Sequence, residues 1–133
     1  IKRGISVYQG NIEEGLTEFS NKSFDYVVLS QTLQQIKNPV FVLKEMLRVG
    51  KKVIVSFPNF AYWKIRAQLF FGKIPKTESI PYDWFDTPNI RVVSIYSFRK
   101  LCKEHKIKIL EEVPNKKFFS NLFSRQGMFL LSK

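Results

Sequence analysis

Asp83 and Asp86 stand three positions apart in the word PYDWFDTPNI, with Trp84 between them. Two carboxylates beside an aromatic side chain can bind an amine or divide the roles of acid and base. The same residues run into Asp86-Thr87-Pro88-Asn89, which is also a good turn sequence, so both readings stand. Asn59 follows Pro58 at the end of an apolar run, and Ser30-Gln31 close another. By position Asn59 and the Ser30-Gln31 pair are candidates for lining a ligand site, with turn chemistry as the alternative for Asn59 and strand capping for Ser30 and Gln31. One cysteine, Cys102, and one histidine, His105, argue against an all-protein zinc site and exclude an internal disulfide. No Ser/His/Asp or Cys/His nucleophile system and no phosphate-cradling glycine loop is visible.

The elements that would position these residues read most clearly between Phe24 and Asn59. Phe24–Leu29 is a short apolar run, expected to be a strand buried on both faces. Asn38-Pro39 opens a helix, Asn38 as N-cap and Pro39 in its first turn. Val42, Leu43, Met46, Leu47 and Val49 form its apolar stripe, and Gly50 is expected as a left-handed C′ residue. Lys52–Phe57 is a second buried strand. Strand, helix and strand make a right-handed βαβ unit. In open α/β sheets the ligand lies beyond the carboxyl ends of the strands, here Ser30-Gln31 and Pro58-Asn59.

Around this unit, Ile5–Gln9 alternates and is expected to be a strand ending at Gly10-Asn11. Ala61–Phe71 reads as a helix stopped by Gly72. Its Trp63, Phe70, Phe71, Lys64 and Arg66 suit either packing on the sheet, a partner protein or a membrane surface. Prolines 75, 81 and 88 exclude a continuous helix or a central strand in the following stretch. A loop this long is characteristic of binding segments. Ile95–His105 is a helix capped by Ser94, with Ile95, Phe98, Leu101 and Cys102 inward. Lys106–Val113 and Gly127–Ser132 are strands joined by a loop over Asn115–Arg125, an expected antiparallel hairpin.

The length of 133 residues suits one modest domain, and 44% hydrophobic with 15% aromatic residues indicates a folded chain. No apolar run reaches the roughly 20 residues of a membrane span. The net charge of +11 rests on 16 Lys and 6 Arg scattered over most elements, which argues against nucleic-acid binding as the main role. The opening IKRGISVYQG has no apolar h-region, and together with the single cysteine it leads to the expectation of a cytoplasmic protein.

The words QGNIEEGL, FDYVVLSQTLQ, NPVFVLKEMLRVGKKVIVSFPNF, PYDWFDTPNI and NLFSRQGMFLL together resemble the methionine biosynthesis protein MetW family, within the class I methyltransferases. The resemblance runs from end to end. It implies an α/β Rossmann-like fold with a mostly parallel sheet and a C-terminal antiparallel hairpin. The family's glycine-rich strand-turn and acidic-ended second strand are not in this sequence. Residues 1–133 are therefore expected to be the C-terminal two-thirds of a single domain lacking its first two strands, with 60–93 as a family-specific insertion.

The resemblance further implies S-adenosylmethionine or S-adenosylhomocysteine as cofactor, held in part by Asn11, Ile12, Ser30 and Gln31. Asn11 stands where the family usually has Asp; its amide oxygen can accept from the adenine amino group without the charge. Homoserine O-acyltransferase is the implied partner, acted with or regulated. Whether the chemistry is methyl transfer to a small molecule or regulation stays open; Asp83, Asp86 and Asn59 are the catalytic candidates if it is transfer. A basic nucleic-acid-binding domain is the remaining alternative.

Overall fold

The computed structural model describes residues 4–113 and 120–133. Four strands form one sheet: β1 (Phe24–Ser30), β2 (Gly50–Pro58), β3 (Lys108–Val113) and β4 (Gln126–Ser132), in the order β1-β2-β4-β3. β1 and β2 are parallel, with Val28 opposite Ile54. β4 runs antiparallel to both β2 and β3, closing the expected hairpin. The sheet is thus mixed among the described strands, with parallel pairing confined to the βαβ unit.

α1 (Pro39–Val49) begins as its sequence dictates. The Asn38 Oδ1 accepts from the Phe41 N–H at 3.2 Å, and Pro39 occupies a position where no intrahelical donor is needed. Val42, Leu43, Met46, Leu47 and Val49 are buried. α3 (Ile95–Glu104) starts in the same manner, the Ser94 Oγ accepting from the Ser97 N–H at 3.1 Å, and buries Ile95, Phe98 and Cys102. Both helices pack on one face of the sheet, against Val53, Val55, Phe57, Phe129 and Leu131. Phe57, Phe98 and Phe129 form its aromatic centre, with ring centroids 4.7 to 5.8 Å apart. Burying each such side chain contributes about 1.5–3 kcal/mol.

The opposite face carries Tyr26, Val28 and Met128, all exposed. β1 is therefore covered on one side rather than both: only Leu29 is fully buried along it, because α1 and α3 lie on the same side. A second difference concerns Ile5–Gln9. These residues form no strand; Ile5, Val7 and Tyr8 are exposed and pair with no sheet edge among the described residues. Alternation supplies a strand's pattern, but a strand exists only with a neighbour to satisfy its backbone.

α2 (Trp63–Phe70) is shorter than the Ala61–Phe71 expected and buries only Ile65, in a small cluster with Tyr62 and Ile80 apart from the sheet core. Trp63, Leu69, Phe70 and Phe71 are exposed, so this helix does not pack on the sheet. Residues 73–94 hold neither helix nor strand, consistent with prolines that exclude a continuous helix or a central strand there. Of the expected 115–125 loop, residues 115–119 lie outside the described residues, and Ser120–Phe123 form a short helix, α4. Arg99 on α3 grips Glu112 on β3 with two bonds, Nε to Oε2 at 2.9 Å and Nη2 to Oε1 at 2.8 Å. Its Nη2 also donates to the Ser120 Oγ at 3.2 Å.

Candidate functional site

The carboxyl ends of β1 and β2 meet where the fold predicts a ligand. β1 stops because Gln31 turns into the left-handed region, φ +50°. Its N–H donates to the Ser56 carbonyl at 2.9 Å and lies 3.2 Å from the Ser56 Oγ. Its Nε2 donates to the Gln126 Oε1 at 3.1 Å. The Ser30 carbonyl accepts from the Thr32 Oγ1 at 2.8 Å. The strand end is thereby fixed by β2 and β4, with the exposed Ser30 side chain left at its tip.

Asn59, at the end of β2, is wholly buried. Its Nδ2 donates to the Asn121 and Ser124 carbonyls, both at 2.8 Å. Its Oδ1 accepts from the Ala61 and Ile95 N–H groups, both at 3.2 Å. An amide has two donor hydrogens and two acceptor lone pairs, and all four are used here. Asn59 is a knot joining β2, the start of α3 and the turn after α4.

Beside Pro58 opens a cavity of about 210 Å³. Phe60, Ile74, Ile80, Tyr82, Trp84, Ile90, Val92 and Val93 make it largely apolar, and Gln34, Thr87, Asn89 and Arg91 supply its polar groups. Its wall is built by the long loop folding back: the Gln34 carbonyl accepts from the Ile90 N–H at 3.0 Å and the Arg91 N–H at 2.9 Å. The Gln34 side chain is buried, its Nε2 donating to the Gln31 carbonyl at 3.0 Å. The Gln34 Oε1 and the Asn89 Oδ1 are both buried without a hydrogen-bond partner among the described residues.

Asp83 and Asp86 stand outside this wall. Asp83 pairs with Lys76 at 3.2 Å, and the Asp86 N–H closes a turn on the Asp83 carbonyl at 3.3 Å. Trp84, between them, does line the cavity while remaining largely exposed. Asn11 caps a single helical turn over Ile12–Glu14, its Oδ1 accepting from the Glu13 N–H at 3.0 Å. Asn11 and Ile12 line an open groove with Tyr8, Leu16 and Phe19. Ser30 and Gln31 line neither that groove nor the cavity. The structure thus brings Asn11 to Ile12, and Ser30 to Gln31, without joining the two pairs around one space.

Gln34, Asn89 and Arg91 are the residues that sequence reasoning missed. Gln34 sits in the polar word TLQQIKN, where nothing local marks it as buried. Asn89 reads as the last residue of a turn. The one available signal was the length of the 73–94 loop, which required something to fold back upon.

Comparison with known proteins decides the family. The description "Methionine biosynthesis protein MetW" matches residues 1–131. This chain belongs to the MetW family. A chain from Rhodopirellula baltica named "Bifunctional methionine biosynthesis protein MetXA/MetW" is 43% identical over 113 residues, 84% of this chain. This MetW-family chain spans 18% of that relative's length. Among solved structures, it is similar to a SAM-dependent methyltransferase of Thermotoga maritima, described as a possible histamine N-methyltransferase. That likeness has a TM-score of 0.64 at 20% identity and covers 99% of this chain and 65% of the other. The small RNA methyltransferase HEN1 matches with a TM-score of 0.57 at 15% identity, over 93% of this chain and 15% of that one. At these identities the two likenesses establish the fold, the Rossmann-like class I methyltransferase type. No helix among the described residues is long and apolar enough to cross a membrane.

Proposed function

We propose that this chain is part of a cytoplasmic MetW protein that acts with homoserine O-acyltransferase, and that the full-length protein binds S-adenosylmethionine or S-adenosylhomocysteine. The observation that carries the partnership is the 43% identity to a single chain named for both MetXA and MetW. Two activities in one chain operate at fixed high effective concentration, which suits partners that otherwise associate. The fold type shared with methyltransferases supports the cofactor.

The residues present fit that cofactor in part. Asn11 is exposed, and its Oδ1 keeps a second lone pair after capping Glu13, enough to accept from an adenine amino group. The partly buried Ile12 offers an apolar surface beside it. Ser30 and Gln31 end β1 on the side where open α/β sheets take ligands. The cofactor supplies an activated methyl group; this chain's residues would bind and orient it.

Co-purification of the full-length protein with the acyltransferase from the same organism, with acyl-transfer rates measured with and without it, tests the partnership. Association with a changed rate supports it; neither association nor any effect on rate defeats it. Calorimetric titration with S-adenosylhomocysteine tests the cofactor separately.

A further inference from the structure

We propose that the outer face of α2 is the surface on which the acyltransferase docks, the helix lying in an apolar groove of that partner whose rim is acidic. This rests on the partnership proposed above and adds where the contact is made. α2 turns its two sides to different surroundings. Ile65 faces inward and is buried with Tyr62 and Ile80. Trp63, Phe70 and Phe71 stand on the other side, seven and eight positions apart along the helix and its C-cap. They are 45%, 84% and 74% exposed, and the exposed Leu69 and Ile74 extend the same apolar end.

That end is fixed in place. Gly72 closes the helix in the left-handed region, φ +75°, where an added Cβ would meet nothing, so glycine serves the conformation. The Gly72 N–H donates to the Leu69 carbonyl at 2.9 Å and the Lys73 N–H to the Gln68 carbonyl at 2.8 Å, the two bonds of a Schellman cap. The Gln68 side chain then brackets the chain beyond. Its Oε1 accepts from the Lys76 N–H at 2.7 Å, and its Nε2 donates to the Lys76 carbonyl at 3.1 Å. The Phe70 and Phe71 rings meet edge to face, with centroids 5.4 Å apart. Side chains already held in one arrangement lose little freedom on docking.

Aromatic anchors mark the centres of protein interfaces, and a helix that offers them at i and i+7 fits the helix-in-groove mode. Charge selects the occupant. Residues 60–76 hold Lys64, Arg66, Lys73 and Lys76 and no Asp or Glu. Arg66 Nε donates to the Ala61 carbonyl at 2.7 Å, and Lys76 pairs with Asp83. Lys64 and Lys73 are left without an ion pair among the described residues. Two such cations fall short of the roughly 4–8 that anionic lipid surfaces attract, and they suit an acidic rim around a protein groove. The relative named for both MetXA and MetW supplies the class of partner.

The experiment measures binding of the full-length protein to the acyltransferase of the same organism by calorimetry. It compares the wild type with the paired change Phe70→Ser and Phe71→Ser, with Trp63→Ser, with Lys73→Glu, and with Tyr96→Ser as an exposed aromatic control on α3. The paired change is expected to weaken binding about tenfold or more, with Trp63→Ser in the same direction. Lys73→Glu should weaken it more at low salt than at high salt, and Tyr96→Ser should bind as the wild type does. Melting temperatures of the unbound protein should stay equal or rise; a fall in the paired variant would mean that its own chain covers these rings, and would overturn the proposal. Wild-type binding that the paired change and Trp63→Ser leave undiminished, or that Tyr96→Ser weakens equally, overturns this surface while the partnership stands. No binding by the wild type defeats the partnership and this surface with it. Vesicles of phosphatidylcholine with and without phosphatidylglycerol form the lipid arm. Sedimentation with the anionic vesicles that the paired change abolishes, beside undiminished acyltransferase binding, would assign the face to a membrane and overturn the proposal.

Discussion

Arg48 clasps Glu45 on α1 with two hydrogen bonds, Nε to Oε1 and Nη2 to Oε2, each 3.0 Å long. The pair then reaches beyond its helix. Glu45 Oε2 accepts from the Leu16 N–H at 2.9 Å. Arg48 donates to the Leu16 carbonyl at 2.8 Å, the Phe19 carbonyl at 3.0 Å and the Asn21 Oδ1 at 2.9 Å. The segment leading from the Asn11 groove into β1 forms no strand; this ion pair anchors it to α1 beside the packing of Ile12 and Leu16 on the core.

Acid should loosen that segment. The Arg48 hydrogen bond, followed by the Leu16 N–H, holds the Glu45 carboxyl below its ordinary value of 4.5. A lowered folded value means the stabilisation is complete above 4.5 and is lost as pH falls through the folded value. Glu45→Gln is expected to melt below the wild type at neutral pH. The gap should close progressively below the ordinary glutamate range of about 4. Thermal melts followed across that range check it; a gap independent of pH would assign the effect to packing alone.

Gly50 offers a steric test. Its backbone is extended, φ −102° and ψ 147°, not left-handed as a helix-ending glycine would be. β2 begins at Gly50 itself, paired with Phe24, so the chain passes from helix to strand without a turn residue. Glycine is needed for space: a Cβ there would lie 2.6 Å from the Val27 Cγ2 and 3.2 Å from the Met46 and Lys52 carbonyl oxygens. Lys22, in the turn before β1 with φ +54°, donates its Nζ to the Leu47 and Gly50 carbonyls. Gly50→Ala is expected to cost about 1–3 kcal/mol in denaturant unfolding. Adding Val27→Ala should recover part of the loss, which a backbone-strain origin would not allow.

That example shows where sequence reading stops. α1, α3 and their caps were legible because Asn38-Pro39 and Ser94 act within three residues, and the hairpin because both its strands carry their own pattern. Gly50 was recognised as required, but whether for φ or for space depended on Val27, on another strand. The cavity was legible only as a location, beyond Pro58. Its lining depends on Gln34 accepting from Ile90 and Arg91, a long-range pairing that no local word encodes. Ile5–Gln9 failed for the converse reason, a local pattern with no partner to complete it.

Cys102 should be chemically silent in the folded protein. It is fully buried on α3 among the core side chains, and burial pushes its thiol up to about 12. Thiolate is the reactive form, so almost none is present near pH 8. A disulfide-exchange reagent at that pH should react only at the unfolding rate, with the full stoichiometric signal after denaturant is added. Rapid labelling of native protein would show that α3 opens locally.

The saturated amide of Asn59 yields the sharpest separation between a structural and a chemical part. Asp at that position keeps the shape and the two acceptor functions toward Ala61 and Ile95 but has no hydrogens for the Asn121 and Ser124 carbonyls. Two buried carbonyls would then face a carboxylate. Leaving a buried polar group unpaired costs about 1–3 kcal/mol, so Asn59→Asp is expected to lose at least about 2 kcal/mol in denaturant unfolding. Asn59→Ala removes all four bonds and should cost at least as much. The effect on acyltransferase support, measured per folded molecule at a temperature where both variants remain native, should be small. A loss of support much larger than the loss of folded protein would instead place Asn59 in contact with the reacting molecules.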